Sequence, residues 1–183
     1  SEVQTIQNIV SDGSGGAIIG WKDKRNNSFY DIYAQHINSS GVAQWTADGI
    51  AVCTATKDQV YLSMTEDGAN GVILTWEDYR ANANNPDIYA QRIDASGTSL
   101  WTADGNGVMV HAGSQIKPSI SSDGSGGAYV TWMNNPNGNN ADIFSQRLNS
   151  SGERQWNSPS YRVPVSSAKD DQAYQKQITI TNG

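Results

Sequence analysis

Charge, cysteine and long apolar runs are all scarce in this sequence, and each shortage excludes a class of protein. Only 16% of the 183 residues are charged, and 18 Asp and Glu against 12 Lys and Arg leave a net charge of -6. Phosphate binding needs clustered Lys and Arg, so this balance argues against nucleic acids and anionic membranes as partners. The single cysteine, Cys53, excludes an internal disulfide and a cysteine-rich metal site, and we expect it to be buried. No apolar run approaches the roughly 18 residues of a membrane span, so membrane insertion is not expected.

Turn residues are abundant, and they recur at fixed positions of a sequence repeat. The 18 glycines, together with many Asn, Ser and Thr residues, favour turns and indicate an all-β fold. The six tryptophans occupy two positions in each of three copies of one unit, at spacings of 55 or 56 residues. The first position holds Trp21, Trp76 and Trp132, and the second holds Trp45, Trp101 and Trp156. A fixed period of this length indicates a repeat architecture.

Each unit is predicted to contain four short antiparallel strands, because runs rich in Ile, Val, Tyr and Trp alternate with turn residues. The first strand precedes an Asp-Gly turn, and the second runs into the first Trp. The third strand opens with Asp31, Asp87 and Asp142 in the three units, and the fourth is predicted to carry the second Trp and to precede a Thr-Ala-Asp-Gly turn in the first two units. The predicted bounds are 6–11, 60–66 and 116–122 for the first strands and 17–21, 72–76 and 128–132 for the second strands.

The predicted fold class is all-β, with three four-stranded antiparallel repeats that resemble β-propeller blades and one surplus terminal strand at 177–182. Residues 1–183 are expected to form a single repeat domain. Its units span about 4–58, 59–114 and 115–171, and a partial fourth unit spans about 172–183. A β-trefoil, which also has three units of four strands, is the alternative. Because propellers typically have 4–8 blades, we expect a homo-oligomer or the remainder of a longer repeat chain as the partner.

One recurring pattern resembles repeats that are already known. It reads Asp-Gly-x-Gly-Gly-Ala-x-x-x-Trp-x-Asp-x-Arg, and later Asp-Ile-Tyr-Ala-Gln-Arg-Ile-Asp-x-Ser-Gly before the second Trp. This pattern is similar to the repeats of secreted or surface-exposed multi-repeat proteins of bacteria, and the resemblance covers essentially all of the chain. It implies propeller-forming units, an extracellular or cell-surface location and a non-catalytic scaffold.

The candidate ligand-binding residues lie in the Asp-x-Arg motifs and in the loops between the second and third strands. These loops, at 24–30, 79–86 and 134–141, differ among the units while the strands stay alike, and variable loops on a rigid scaffold commonly carry binding. The candidates are Asp23, Arg25, Asn27, Asp78, Arg80, Asn84, Asn134 and Asn137. The Asp and Arg of each motif would emerge on the same face of a strand, and we favour structural ion pairs for them over a ligand site.

The other recurring residues have structural interpretations. The tryptophans are expected to pack between blades instead of binding sugars. Two sets of Asp residues could supply oxygen ligands for calcium, but the spacing of a calcium loop is absent, so we favour capping of turns and hairpins. These sets are Asp12, Asp67 and Asp123 in the Asp-Gly turns and Asp31, Asp87 and Asp142 at the third strands. The glutamines before the first strands are expected to bond to the backbone, and they are Gln4, Gln59, Gln115 and Gln172.

Catalysis finds little support in the sequence. His36 replaces an Arg of the other units, His111 follows the fourth strand of the second unit, and neither has a recurring acid and nucleophile beside it. No cofactor or metal site is predicted. The leading hypothesis is a non-catalytic extracellular module that binds a glycan or a surface protein or acts as a scaffold. The alternatives are a self-assembling subunit that exchanges strands with neighbouring copies and an ancillary targeting domain of a secreted hydrolase.

Overall fold

The computed structural model describes residues 4–25, 29–135, 141–156 and 162–166, and the regular elements within these ranges are all β-strands. Twelve strands form three antiparallel sheets of four, and each sheet follows chain order from one edge to the other. The strands of unit 1 are β1 (Gln4–Ser11), β2 (Ala17–Asp23), β3 (Asp31–Ile37) and β4 (Ile50–Cys53). Those of unit 2 are β5 (Gln59–Glu66), β6 (Val72–Asp78), β7 (Asp87–Ile93) and β8 (Asn106–Met109). Those of unit 3 are β9 (Ser114–Ser122), β10 (Ala128–Asn135), β11 (Asp142–Leu148) and β12 (Val163–Ser166).

The all-β prediction with three four-stranded antiparallel repeats is confirmed, but the predicted position of the fourth strand is wrong. Trp45 and Trp101 lie in bends, and β4 and β8 begin only after the Thr-Ala-Asp-Gly turns. The chain turns there because Asp48 and Gly49 have positive φ angles of 63° and 84°, and the equivalent residues of unit 2 do the same. The predicted surplus strand at 177–182 lies outside the described residues.

The first and second strands are longer than predicted, because the glutamine before each first strand pairs with a residue beyond the first Trp. Gln4 lies opposite Asp23 in the register of β1 and β2, and Gln115 lies opposite Asn134 in that of β9 and β10. The first strands therefore begin one or two residues earlier, and the second strands continue two or three residues further. The predicted side-chain bond to the backbone is present at Gln59 and Gln115, whereas Gln4 bonds to the Asp23 carboxylate. Gln172 lies outside the described residues.

The glutamine of each third strand holds the second Trp in place. In unit 2, Gln91 accepts a hydrogen bond from the backbone amide of Trp101 at 3.0 Å and donates one to the carbonyl of Thr102 at 2.8 Å. Gln35 makes the matching bonds in unit 1. In unit 3, Gln146 accepts the backbone amide of Trp156 at 2.9 Å and donates to the carbonyl of the same residue at 3.0 Å. A buried amide side chain with both ends bonded costs little to bury. The recurring Gln therefore positions the bend that carries the second Trp.

The three sheets pack face to face, and unit 2 lies between the other two. Every residue of β6 is buried. Because side chains alternate across a strand, Leu74 and Trp76 join a core with Ile18 and Ile32 of unit 1, whereas Ile73 joins a second core with unit 3. β5 lies beside β1 on one side and β9 on the other, so the first strands of the three units are neighbours.

The second Trp of units 1 and 2 also docks onto the Ser-Gly turn of the next unit. The indole N–H of Trp45 donates to the carbonyl of Ala95 at 3.1 Å, and that of Trp101 donates to the carbonyl of Ser150 at 3.0 Å. A Cβ at Gly97 would stand 3.0 Å from Trp45 Cδ1, closer than an ordinary van der Waals contact, so a side chain there would displace the ring. Burial of the ring and satisfaction of its N–H occur in the same contact.

Replacement of Gly152 by Ala tests this docking, with Gly124→Ala as the matched control. Both glycines have positive φ angles, of 76° and 73°, so both variants carry similar left-handed strain. A Cβ at Gly152 would stand 2.5 Å from Asn106 Nδ2, the end of a side chain that can shift, and 2.6 Å from Trp101 Cδ2, whereas one at Gly124 meets no described residue within 4 Å. We expect Gly152→Ala to lower the free energy of unfolding, measured by urea denaturation, by about 1–3 kcal/mol more than Gly124→Ala. Equal losses would contradict the docking contact.

Candidate functional site

The loops between second and third strands emerge at the same end of the sheets as the links that join consecutive units. Antiparallel order dictates this, since the second strand ends, the third begins, the fourth ends and the next unit begins at that end. We call this end the rim. Its described parts are the loops at 24–25, 29–30 and 79–86 and the links at 54–58 and 110–113. The rim contains the sequence-predicted ligand residues that the structure describes.

Asp23 and Arg25 form an ion pair that is integral to unit 1. The buried Asp23 carboxylate accepts hydrogen bonds from Arg25 Nε at 2.7 Å, from Trp21 Nε1 at 3.0 Å and from Gln4 Nε2 at 2.9 Å. Burial works to raise the pKa of Asp23, but the bonds from Arg25 and Trp21 and the charge of Arg25 outweigh it and lower the pKa below its ordinary value. The expectation that the two side chains share a strand face is wrong, because Arg25 lies beyond β2 and its backbone amide turns back to Asp23 Oδ1 at 2.7 Å.

The equivalent pair of unit 2 also joins two units. Arg80 Nη2 donates to the Asp78 carboxylate at 2.6 Å and to the carbonyl of Asp104 at 2.7 Å. The same nitrogen lies 3.3 Å from Cys53 Sγ in unit 1. Cys53 is buried as predicted, and burial raises the pKa of its thiol far above the ordinary value. Asp78 and Arg80 therefore sit at the interface between two sheets, where they hold the sheets together.

The remaining predicted ligand residues lie apart from one another. Asn134 is buried and accepts a hydrogen bond from Gln115 Nε2 at 3.0 Å. Asn84 is exposed in the loop of unit 2, where its backbone amide donates to Asn82 Oδ1 at 2.9 Å. Asn27 and Asn137 lie outside the described residues.

The Asp residues that open the third strands lie inside the sheets. Asp31 and Asp87 are buried and stand opposite Asp23 and Asp78 in the registers of β2–β3 and β6–β7, while Asp142 stands opposite an Asn. Burial raises the pKa of Asp87, whose Oδ1 accepts the backbone amide of His111 at 3.1 Å. They lie in the strands, across from the Asp-x-Arg motif in units 1 and 2 and across from Asn134 in unit 3, so they are part of each unit's framework and not part of a turn.

The Asp of each Asp-Gly turn caps that turn and pairs with the third strand. In unit 3, Asp123 Oδ1 accepts the amides of Ser125 and Gly127 at 2.9 Å, and Oδ2 lies 2.8 Å from Arg147 Nη2. Asp67 pairs in the same way with Arg92, and Asp12 with His36 at 2.8 Å. These carboxylates are engaged by the protein's own donors. Within the described ranges, no three His, Cys, Asp or Glu side chains are grouped closely enough to hold a metal ion.

The most distinctive feature of the rim is a cavity of about 310 Å³ between the loops of units 1 and 2. Its lining comprises Phe29, Lys57, Asp58, Val60, Tyr79 and Ala83. The Phe29 side chain is 43% exposed, so an aromatic ring is accessible at the mouth. Aromatic faces beside an ammonium and a carboxylate combine apolar contact with hydrogen bonding, which is the composition of a small-molecule site.

Asp58 fixes the geometry of this cavity by tying both loops to the link between the units. Its Oδ1 accepts the amide of Tyr30 at 2.8 Å, and its carbonyl accepts the amide of Tyr79 at 3.0 Å. Lys57 adopts a φ of 67°, and its carbonyl accepts a bond from Gln59 Nε2 at 2.9 Å that holds it there. Burial and the nearby Glu77 carboxylate raise the pKa of Tyr79 to about 12, so its phenol is neutral, and its hydroxyl donates to Glu77 Oε2 at 3.3 Å.

A second hollow, of about 340 Å³, occupies the equivalent joint between units 2 and 3. Its polar lining includes Asn82, Asn85, Asp87 and His111. Its described lining contains no Phe, Tyr or Trp, so the two joints share a position but differ in chemistry. A larger open hollow of about 520 Å³ lies away from the rim, at the turns around Gly105 and Gly152, and is lined mainly by glycine and polar residues.

The aromatic cavity lies at two of the loops that the sequence indicated for binding, 24–30 and 79–86, but its lining residues were not among the candidate residues. Phe29 and Tyr79 occupy positions at which the other units have no aromatic residue, so they do not belong to the repeat. An aromatic residue at a non-repeating loop position was the available signal. Lys57 and Asp58 lie at the predicted boundary between two units, outside the loops that were considered for binding.

No protein-family model, curated protein or solved structure matches the chain. The site must therefore be interpreted from its own geometry. The Asp-x-Arg motifs stabilise the sheets. The rim cavity lies at loops whose sequences differ among the units.

Protonation of Asp123 is expected to destabilise the protein in acid. Burial works to raise the pKa of this carboxyl, but hydrogen bonds from Arg147 and from two backbone amides outweigh it and hold the pKa below its ordinary value of 3.8. Because the folded pKa lies below the unfolded one, this stabilisation is present above pH 3.8 and is lost as the pH falls through the folded pKa. Asp123→Asn keeps an oxygen for the amides but loses the ion pair, so its free energy of unfolding should fall less steeply in acid. Urea titrations at a series of pH values above and below 3.8 measure the free energy of unfolding of both proteins. If the two free energies fall in parallel, the ion pair of Asp123 does not contribute to the acid sensitivity.

Proposed function

We propose that this chain is a non-catalytic, extracellular binding module of the β-propeller type whose rim binds a glycan. Three features support the propeller arrangement: each sheet is a meander built from one unit, the sheets stack face to face, and the first strands are neighbours. A β-trefoil would instead share one barrel among its three units. The extracellular location is supported by the resemblance to secreted bacterial repeats.

The observation that carries the binding proposal is the cavity lined by Phe29, Tyr79, Lys57 and Asp58. The apolar face of a pyranose ring can lie on an aromatic ring, and the ring hydroxyls can bond to a carboxylate, an ammonium or a phenol. The lining residues come from the loops of two different units and from the link between these units. A rigid scaffold with variable loops at one end is a common basis for recognition.

The ionisable residues of the repeat support a non-catalytic role, because their chemistry serves the fold. His36 contacts the carboxylate of Asp12, which also accepts two backbone amides of its own turn. Arg80 binds Asp78, and the Cys53 thiol is kept protonated by burial. Groups held in this way act as structural contacts between strands, turns and units.

Phe29→Ala tests the glycan proposal, with Leu100→Ala as the control. Leu100 is also an exposed apolar residue, at 46% exposure, but it bonds to the backbone of Arg92 near the end of β7, at the end of the sheet opposite the rim. A glycan array screened with the labelled chain should yield a ligand, and calorimetric titration should show roughly tenfold weaker binding for Phe29→Ala. Leu100→Ala should bind as the wild type does. An array without hits, or equal affinity of Phe29→Ala and wild type, would overturn the proposal.

A further inference from the structure

The interface between consecutive units occurs twice in the chain, and its two sides are recognisable. One side presents the second Trp, and the other presents the Ser-Gly turn and the face that includes the first Trp. In unit 2 that receiving face is fully covered, because Leu74, Trp76 and Ile93 each have 0% exposure. The same is true of unit 3, where Val130, Trp132 and Leu148 have at most 1% exposure. A covered receiving face is thus the rule for the interfaces within this chain.

Unit 1 has the same receiving face, which we call the leading face, and it is only partly buried. Its apolar residues are Ile19, Trp21 and Ile37, at the positions of Leu74, Trp76 and Ile93. They line a largely apolar cavity of about 460 Å³ together with Gln4 and Gln35. Each of these residues is at least partly exposed, in contrast to its counterparts in unit 2.

The turn that would receive a second Trp is already formed in unit 1. Asn38 Oδ1 accepts the amides of Ser40 and Val42 at 3.0 Å, as Asp94 does in the equivalent turn of unit 2. A Cβ at Gly41 would meet nothing within 4 Å, whereas at the equivalent glycines of units 2 and 3 it would strike a Trp ring. Among the residues that the structure describes, none fills the place of the Trp ring beside Gly41.

Unit 3 carries the matching half of this interface, which we call the trailing face. Its residues are Tyr129, Trp156 and Val165, at the positions of Ile18, Trp45 and Val52 in unit 1. Tyr129 is 39% exposed and Val165 is 52% exposed, against 0% and 3% for those counterparts. The ring of Trp156 lies 5.9 Å from that of Tyr129, so the aromatic surface is continuous.

We propose that the leading face of one copy of this chain binds the trailing face of a second copy, with Trp156 docked at Gly41. Both halves belong to a contact that the chain makes twice internally, so the proposed contact continues an existing interface. By analogy with Trp45 and Trp101, the indole N–H of Trp156 donates to the carbonyl of Ser39 in the second copy.

The proposed contact needs no exchange of strands and is independent of any ligand at the rim. The two faces are different, so the contact is heterologous and forms either a closed ring or an open chain of copies. Two copies bring six units together, which lies within the range of closed propellers. A closed ring of two copies is therefore the expected assembly.

Gly41→Ala tests the contact, with Gly68→Ala as the matched control. Both glycines have a φ of 78°, and a Cβ at either meets nothing within 4 Å in a single chain, so the two variants should be equally stable as monomers. Light scattering after size-exclusion chromatography of the full chain, over a concentration series, should give a mass of two chains for the wild type. Gly41→Ala should weaken the dimer by roughly tenfold or more, because its methyl group meets the docked Trp156 ring, while Gly68→Ala should not.

Charge placed on each face gives a second test. Ile19→Lys blocks the leading face and Val165→Lys blocks the trailing face, so each variant alone should be monomeric. An equimolar mixture retains one intact face of each kind and should recover a species of two chains. Leu100→Lys, at an exposed residue outside both faces, should dimerise as the wild type does, and near-UV circular dichroism verifies that each variant is folded.

Three results would overturn the proposal. The first is a wild-type chain that stays monomeric at all concentrations, which would favour coverage of the faces by other repeat units or another protein. The second is equal dimerisation of Gly41→Ala and Gly68→Ala. The third is a mixture of the two lysine variants that stays monomeric while the wild type dimerises, since this would exclude contact between unlike faces.

Discussion

A four-stranded sheet with apolar side chains on both faces must be covered twice, and the structure depends on how this requirement is met. Unit 2 satisfies it completely: alternate side chains of β6 enter the two cores, one shared with unit 1 and one with unit 3. Covering both faces removes apolar area from water on each side of a single layer, which is the main source of stability for repeat proteins. The exposed faces of units 1 and 3 follow from the same requirement, because each has a neighbour on one side within the described chain.

The recurring polar residues make this stacking possible without leaving hydrogen-bonding groups unsatisfied. Gln91 bonds both to the amide of Trp101 and to the carbonyl of Thr102, and thereby holds the bend from which the indole reaches the next unit. Asp78 accepts the indole N–H of Trp76 within its own sheet at 2.8 Å. Since a buried donor without a partner costs free energy, these residues are as necessary to the interface as the apolar ones.

The division between repeating and non-repeating positions corresponds to a division of roles. Repeating residues form the sheets, cap the turns and join the units. Non-repeating residues such as Phe29 and Tyr79 gather at the rim, where Asp58 ties two loops to one link. A loop at the end of a stacked sheet can change without disturbing the stack, so the rim is where this architecture can acquire a binding specificity. The distinct chemistry of the two rim joints agrees with this view.

The sequence by itself determined the period, the all-β class, three four-stranded units, the Asp-Gly turns and the burial of Cys53, because these follow from local turn chemistry and from spacing along the chain. It did not determine the fourth strand, since the bend at Trp45 depends on a bond to Gln35 and on docking against the next unit. Nor did it reveal the rim cavity or the different exposures of Trp21 and Trp76, which occupy equivalent positions. Only the stacking of units decided these features, because burial and cavity shape arise between residues that lie far apart in the chain.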